Sequence, residues 1–509
     1  MAVSNRQHVS RLVPRSSRTL TVLLIVVAVV NSATLGFDSS MMNGLNILPQ
    51  YKDYFHLNAS TRGLLTAGSW LGGVVATFFM QWVPDRFGRK PTILIAACIG
   101  VIAAIIQGAA QNTGMFVLGR ILSGIAGQLS GGAAPTLIGE TIKPHYRGTI
   151  LGIFFSCYYV GSLIASAVNY RTVDIATTWA WRIPSILQCV PSLLSIACLP
   201  FVPESPRWLV ANGKPEYARE VLAIVYENNT AETTEVLEEI KMTLKYEEEQ
   251  YPANPWKELI TGTPNLRRLA IIVSFGLLIE TLGNFVISFY LGTMLTQAGI
   301  TNPTTQLQIN VILNCWCFVV AVVGSFLLDV VGRRKQTLWC MVGMIATFYI
   351  AGGLTKSFGE STNKSGIYAT IAFIFLFQGF YSASITPMTT AYPPEIMPYH
   401  TRNAGIAVFR FLDCSTGMMY SFLMSYAMDN LGWKFFMVNA SYDIIFLVVI
   451  YYFWIETKGI PLEEIAVKFG DMDPRELIVG EGSETMSDGG EGKATFADKG
   501  GVDIGVRQA

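Results

Sequence analysis

Twelve apolar runs, each long enough to cross a bilayer as a helix, recur along this 509-residue chain. A hydrocarbon core about 30 Å thick takes roughly 20 apolar residues per helix. The runs fall at 20–41, 62–83, 91–111, 115–139, 148–169, 181–202, 268–295, 307–330, 336–355, 367–392, 403–427 and 433–455. In lipid a backbone must satisfy its own polar groups, which leaves helices and closed barrels as the only spanning structures. These runs are too long and too continuously apolar for the alternating pattern of a barrel strand. An all-α membrane protein with twelve transmembrane helices is therefore expected, and a composition of 51% hydrophobic and 14% charged residues agrees with lipid as its solvent.

The chain carries 36 basic and 36 acidic residues, so no net field draws it to nucleic acid, and the information lies in where each sign sits. Basic residues gather before helix 1 (Arg6, Arg11, Arg15, Arg18) and after helices 2, 4, 6 and 8 (Arg86, Arg89 and Lys90; Lys143 and Arg147; Arg207; Arg333, Arg334 and Lys335). By the positive-inside bias both termini are expected in the cytoplasm. The sequons at Asn58 and Asn363 then lie outside, as N-glycosylation acceptors or as chance matches. The first run is too long for a cleaved signal and reads as helix 1. The expected organisation is a cytoplasmic segment 1–19, a six-helix bundle 20–202, cytoplasmic linker helices 203–267, a second bundle 268–455, a cytoplasmic motif 456–470 and a disordered polar tail 471–509.

The chain also repeats itself. Asp85-Arg86-Phe87-Gly88-Arg89-Lys90 follows helix 2, and Asp329-Val330-Val331-Gly332-Arg333-Arg334 follows helix 8. Glu140 stands seven residues before Arg147, as Glu395 does before Arg402, and Glu204 after helix 6 is echoed by Glu456 after helix 12. One such run alone would read as a basic anchor. Its duplication at matched helix ends marks two six-helix pseudo-repeats, the architecture in which two bundles rock about a site near the midplane. Asp85, Arg86, Gly88, Arg89, Glu140, Arg147, Glu204, Arg207, Asp329, Arg333, Arg334, Glu395, Arg402 and Glu456 are the expected conformational switch. Their Arg–carboxylate pairs suit a latch that joins the halves while the outside is open and releases them when the inside opens.

With these motifs, Gly119-Arg120-x-x-x-Gly124, Pro203-Glu204-Ser205-Pro206-Arg207-Trp208-Leu209 and Glu456-Thr457-Lys458-Gly459, the chain closely resembles the sugar porter family of the major facilitator superfamily from helix 1 to Glu464. Met41-Met42-Asn43-Gly44-Leu45, Trp181-Arg182-Ile183-Pro184 and Gly283-Asn284 leading to Tyr290-Leu291 look like its fungal lactose permease, cellodextrin and hexose branch. The resemblance implies the major facilitator fold, a fungal plasma membrane, a monomer, and a sugar and protons as partners. It further implies proton coupling through Asp38 in helix 1 and Arg120 in helix 4. A buried ion pair with only a structural purpose is the alternative.

The expected substrate residues are Phe155, Glu280, Asn284, Tyr290, Asn310, Asn314, Arg410 and Asp413. Several depart from the family pattern: Glu280 stands where a Gln is usual, Phe155 where many hexose carriers have Gln, and Arg410 and Asp413 where the fungal relatives commonly have Asn. Charges within a span must pair or face a polar cavity. Either Arg410 neutralises Glu280 and Asp413 beside an ordinary sugar site, or one of these residues meets a charged ligand. The alternatives to a carbohydrate symporter are a carrier of a charged sugar derivative or specialised metabolite, inward or outward, and a nutrient sensor that does not transport. No phosphate-binding Gly-Lys-Ser/Thr loop, metal-ligand spacing or nucleophile beside a His is present in the sequence, so neither an enzyme nor a metal or cofactor is expected.

Overall fold

A computed structural model describes residues 9–143, 154, 156–250, 255–359, 363–460 and 462–470. Arg147, Phe155 and the 471–509 tail lie outside the described residues. Residues up to Ile460 belong to one compact unit, and the short helix Leu462–Phe469 to a second. No strand occurs among the described residues, and the protein is all-α.

The spanning helices are α1 (Ser17–Leu45), α2 (Ala59–Thr77), α3 (Arg89–Gly108), α4 (Thr113–Thr141), α5 (Tyr158–Thr172) and α6 (Trp179–Phe201). The second half continues with α7 (Thr263–Gln297), α8 (Pro303–Val331), α9 (Arg333–Phe358), α10 (Lys364–Ile396), α11 (Tyr399–Leu431) and α12 (Lys434–Phe453). Eight of them are long and apolar enough to cross a membrane by that measure alone. The remaining four are α2, α4, α5 and α11. Glycines, hydroxyls and charges lower the hydropathy of α2, α4 and α11, whereas α5 is described over only 15 residues.

Three expected spans are interrupted. The run 62–83 ends as a helix at Thr77, and a separate turn of helix, Trp82–Phe87, follows. Within α6 the helix divides after Leu187, because Pro191 has no N–H to offer the Leu187 carbonyl. Within α7 the chain breaks at Gly283, whose φ of +83° is left-handed, and resumes at Asn284. A β-carbon there would approach Phe348 to 2.8 Å, so the break is built for glycine.

Helix packing within a half depends on small residues. A side chain on Gly72 would run into the Ile121 carbonyl, and one on Gly124 into the Ser69 carbonyl, so α2 and α4 approach nearly backbone to backbone. The sequence after α6 forms Pro206–Ala211, Pro215–Val225, Thr230–Gln250 and Pro255–Leu259. The first of these elements pack on the start of α1, where Leu20 and Leu24 share a core with Ala218, Val221, Leu222 and Leu237. Ser17 Oγ donates to the Val225 carbonyl at 2.8 Å.

The repeat is visible atom by atom at one end of the molecule. Gly88 and Gly332, each at φ +103°, lead into α3 and α9 and leave those helix starts without a side-chain cap of their own. A distant carboxylate takes that place in both halves. Glu204 accepts from Arg89 N at 3.0 Å and from Lys90 N, and Glu456 accepts from Arg333 N at 2.7 Å and from Lys335 N. Free N–H groups and the positive dipole end make a helix start a natural carboxylate site. Burial pushes the Glu204 carboxyl above its ordinary range, while the backbone N–H groups of Ser205, Lys90 and Arg89 pull it back. A β-carbon on Gly88 would sit 2.5 Å from Glu204 Oε2 in addition to the positive φ. Gly88→Ala is expected to cost roughly 1–3 kcal/mol from backbone strain alone, read as a lower unfolding temperature of the detergent-purified protein. An unchanged unfolding temperature would show that the turn is not strained.

Candidate functional site

The two halves enclose a cavity of about 310 Å³ whose wall draws on both pseudo-repeats. Away from the paired motifs the two halves are joined by side-chain bonds. There Asn43 Nδ2 donates to Asn310 Oδ1 at 3.2 Å and to the Ile287 carbonyl, and Asn46 Nδ2 donates to the Phe289 carbonyl at 3.0 Å. Beyond these, Arg62 of α2 and Asp429 of α11 form an ion pair at 3.2 Å. Toward the motif-bearing end the lining continues to Asn31, Ser130, Ser195 and Thr389.

On the first half's wall, α1 presents Asp38 to the cavity. The Arg120 guanidinium of α4 meets Asp38 Oδ1 at 2.6 Å, with Arg120 only 1% exposed and Asp38 14%. Ser123 Oγ donates to the same oxygen at 2.6 Å, Ser69 Oγ donates to Oδ2 at 3.0 Å, and Gln188 Nε2 also donates to Oδ1. Gln188 is positioned in turn by Gln107, whose Nε2 donates to its amide oxygen at 3.2 Å. The sequence pointed to Asp38 and Arg120 but not to Ser69, Ser123, Gln188 or Gln107. A hydroxyl or amide within an apolar helix carries no signal of its direction, and only the packing of α1, α2, α3, α4 and α6 aims these four.

On the second half's wall, Glu280, Asn284, Asn310, Asn314, Arg410 and Asp413 all line the cavity. Asn284, just beyond the α7 break, accepts from Gln378 Nε2 of α10 at 2.8 Å. Asn310 and Asn314 face the first half, and both donate to Ser166 Oγ of α5, at 3.1 and 2.9 Å. Tyr290 stands apart, because it is buried and its hydroxyl donates to the Ser421 carbonyl at 2.6 Å, joining α7 to α11 rather than lining the cavity. Its φ of −127° marks a second kink in α7. Arg410 pairs with Asp413 at 3.4 Å, one turn along α11, and Glu280 lines the same wall from α7. Gln128, Tyr158, Tyr381 and Cys414 also line the wall, and the sequence did not single them out.

The motif residues form two matching networks, each within its own half. Arg89 reaches Glu140 at 3.1 Å and Asp85 at 3.3 Å; Arg333 reaches Glu395 at 2.9 Å and Asp329 at 3.1 Å. Ser205 donates to Glu140 just as Thr457 donates to Glu395. Arg86 is exposed, Arg334 lies over the Tyr451 ring, and the charges of Arg207 and Arg402 oppose each other across the two halves. Asn58 and Asn363 are exposed and each caps a helix through Oδ1 (α2 and α10), so the Nδ2 that would carry a glycan is not the atom used in capping.

The model of the family described as "Sugar (and other) transporter" matches residues 24–469. The glucose transporter GlcP of Staphylococcus epidermidis is 26% identical over 87% of this chain and 96% of its own length. The high-affinity glucose transporter of Kluyveromyces lactis is 28% identical over 88% and 85% respectively, and the MFS-type transporter criB of Aspergillus cristatus is 25% identical over 88% and 92%. Among solved structures, the proton:xylose symporter XylE, of the major facilitator superfamily, superposes with a TM-score of 0.72 at 20% identity, covering 89% of this chain and all of that one. The fold is therefore shared.

The Asp38–Arg120 pair generates a test of the site's energetics. Removing one member of a buried, hydrogen-bonded pair strands the other charge and typically costs about 3–5 kcal/mol. Arg120→Ala is expected to lose stability on that scale, and adding Asp38→Asn should restore a large part of it. Thermal unfolding of the single and double variants in one detergent reads the coupling, and equal losses in both would show that the two side chains do not act as a pair.

Proposed function

Because the chain belongs to the sugar (and other) transporter family, we propose that it is a carbohydrate symporter driven by protons and working by alternating access. The observation that carries this reading is the Asp38 carboxylate, open to the cavity on one side and held by the buried Arg120 on the other. A carboxylate in that position can take a proton from cavity water. Once it is neutral its bond to Arg120 weakens, and the helices α1 and α4 that carry the two groups are freed to shift. The hydroxyls and amide around Asp38 serve either state, since Ser69 and Ser123 can rotate from donating to accepting.

Asn284, Asn310, Asn314 and Gln378 supply the neutral donors and acceptors that sugar hydroxyls need. Bonds between the halves at Asn43, Asn46 and Arg62, with each arginine–carboxylate network closed within its own half, fit a state whose cavity opens toward the motif-bearing end. On the proposed topology that end is cytoplasmic, with both termini on the same side, Asn58 and Asn363 outside as glycosylation acceptors, and the protein a monomer in a fungal plasma membrane. The motif networks then act as the switch, exchanging partners across the halves when the other side opens.

A second reading has its own observation, since Arg410, Glu280 and Asp413 put three ionisable groups on the cavity wall. They fit a charged sugar derivative or another polar metabolite better than a plain hexose.

Purified protein in liposomes with an imposed inward proton gradient is expected to accumulate at least one radiolabelled neutral sugar from a panel that includes D-glucose and D-xylose, and a protonophore should abolish the accumulation. Asp38→Asn should lose accumulation yet keep sugar exchange across the membrane at equal concentrations. Accumulation that persists in this variant would remove Asp38 from coupling. On the same panel extended to sugar acids, Arg410→Asn should reduce uptake of neutral sugars by less than about threefold, whereas a loss of ten-fold or more restricted to the acids would favour the second reading.

A further inference from the structure

Glu280, Asp413 and Arg410 form a cluster that the Asp38 site does not use. Glu280 is buried on the first segment of α7, three residues before the break at Gly283. Asp413 is buried on α11, and both groups line the same cavity where the turn of α7 before Glu280 packs on α11, Gly276 lying against Leu412 and Phe409. Two buried carboxylates facing the one guanidinium of Arg410 would leave a charge uncompensated, so the group is balanced when one of the two carries a proton. Asp413 Oδ2 accepts from Arg410 at 3.4 Å, whereas the buried Oδ1 accepts from no donor among the described residues. Among the described residues Glu280 has no ion-pair partner, so one guanidinium serves two carboxyl groups on this wall. The ionisable groups around the pair are Tyr381 of α10, Tyr158 of α5, and Cys414 and Arg410 of α11; Tyr158 feels both Glu280 and Asp38. None but Arg410 is a cation.

We propose that Glu280 and Asp413 form a second proton-binding site, holding one proton between two carboxyl groups on the cavity wall, with Arg410 as the counter-cation of the remaining charge. In the state described here the cluster is neutral, comprising one carboxylic acid, one carboxylate and one guanidinium. Deprotonation passes the proton to cavity water and leaves two like charges on one wall, which repel. The Gly283 break lets the first segment of α7 move relative to α11, so the distance between the carboxyl groups and the protonation of the pair are linked. Under the transport reading above, this gives the second half a proton site to set against Asp38 in the first. The proton itself can be tested without any substrate.

The test is infrared difference spectroscopy of the full-length protein in phosphatidylcholine liposomes at neutral pH, comparing wild type with Glu280→Gln. The expected difference contains the carbonyl stretch of a protonated carboxyl group, which moves to lower frequency in D2O and survives unchanged in Asp38→Asn. A difference containing only ionised-carboxylate bands overturns the proposal and leaves Arg410 serving two anions. If Glu280→Gln does not fold, Asp413→Asn is the second variant. Removing the shared partner should shift the frequency of the protonated-carboxyl band, and an unshifted band overturns the proposal equally. Because neither outcome depends on sugar uptake, failure of the transport reading and failure of this one are separable.

Discussion

Charge in a low-dielectric interior must be paired or wetted, and this protein is organised around that requirement. Asp38 and Arg120 satisfy it in the first half, with Arg120 wholly enclosed and Asp38 touching the cavity. A charge pair of that kind is costly to assemble and costly to break on one side only. Besides Arg120, three polar neighbours drawn from α2, α4 and α6 surround Asp38, so those helices are tied to a single carboxylate on α1. Any change in its protonation is felt by all of them.

The same requirement is met differently at the motif-bearing end. Glu204 and Glu456 are brought to the starts of α3 and α9, where peptide N–H groups rather than side-chain cations supply most of the compensation. Gly88 and Gly332 are needed because the carboxylate lies where a β-carbon would be. Arg89 and Arg333 then bind Glu140 and Glu395, each fastening the loop to the end of the helix two spans on. Two copies of one rigid clasp give each half the internal stiffness that rocking as a body demands.

Part of the cavity's polarity comes from helices that carry glycines, hydroxyls and charges within their spans. α2, α4, α5 and α11 contribute Ser69, Arg120, Tyr158 and Asp413 to its wall, and α2 and α4 can approach closely because Gly72 and Gly124 leave room. Polarity and close packing are thus one design, in which small residues face a neighbouring helix and polar ones face the water between the halves.

The twelve spans, the twofold repeat, the membrane setting and the family were legible in the amino-acid sequence, because hydrophobic length and motif spacing are local properties that survive without a structure. Asp38, Arg120, Glu280, Arg410 and Asp413 were legible too, since an ionisable residue inside an apolar run stands out by its cost. Neutral partners do not, and Gln188, Ser69 and Gln378 acquired their roles only when helices distant in sequence were set side by side. Tertiary structure alone decided that Tyr290 binds the Ser421 carbonyl instead of lining the cavity, that α7 breaks at Gly283, and that Arg410 and Asp413 pair on the same wall as Glu280. The physical reason is that a residue's type sets the strength of the interaction it can make, whereas the rotation and crossing of its helix determine which partner it reaches.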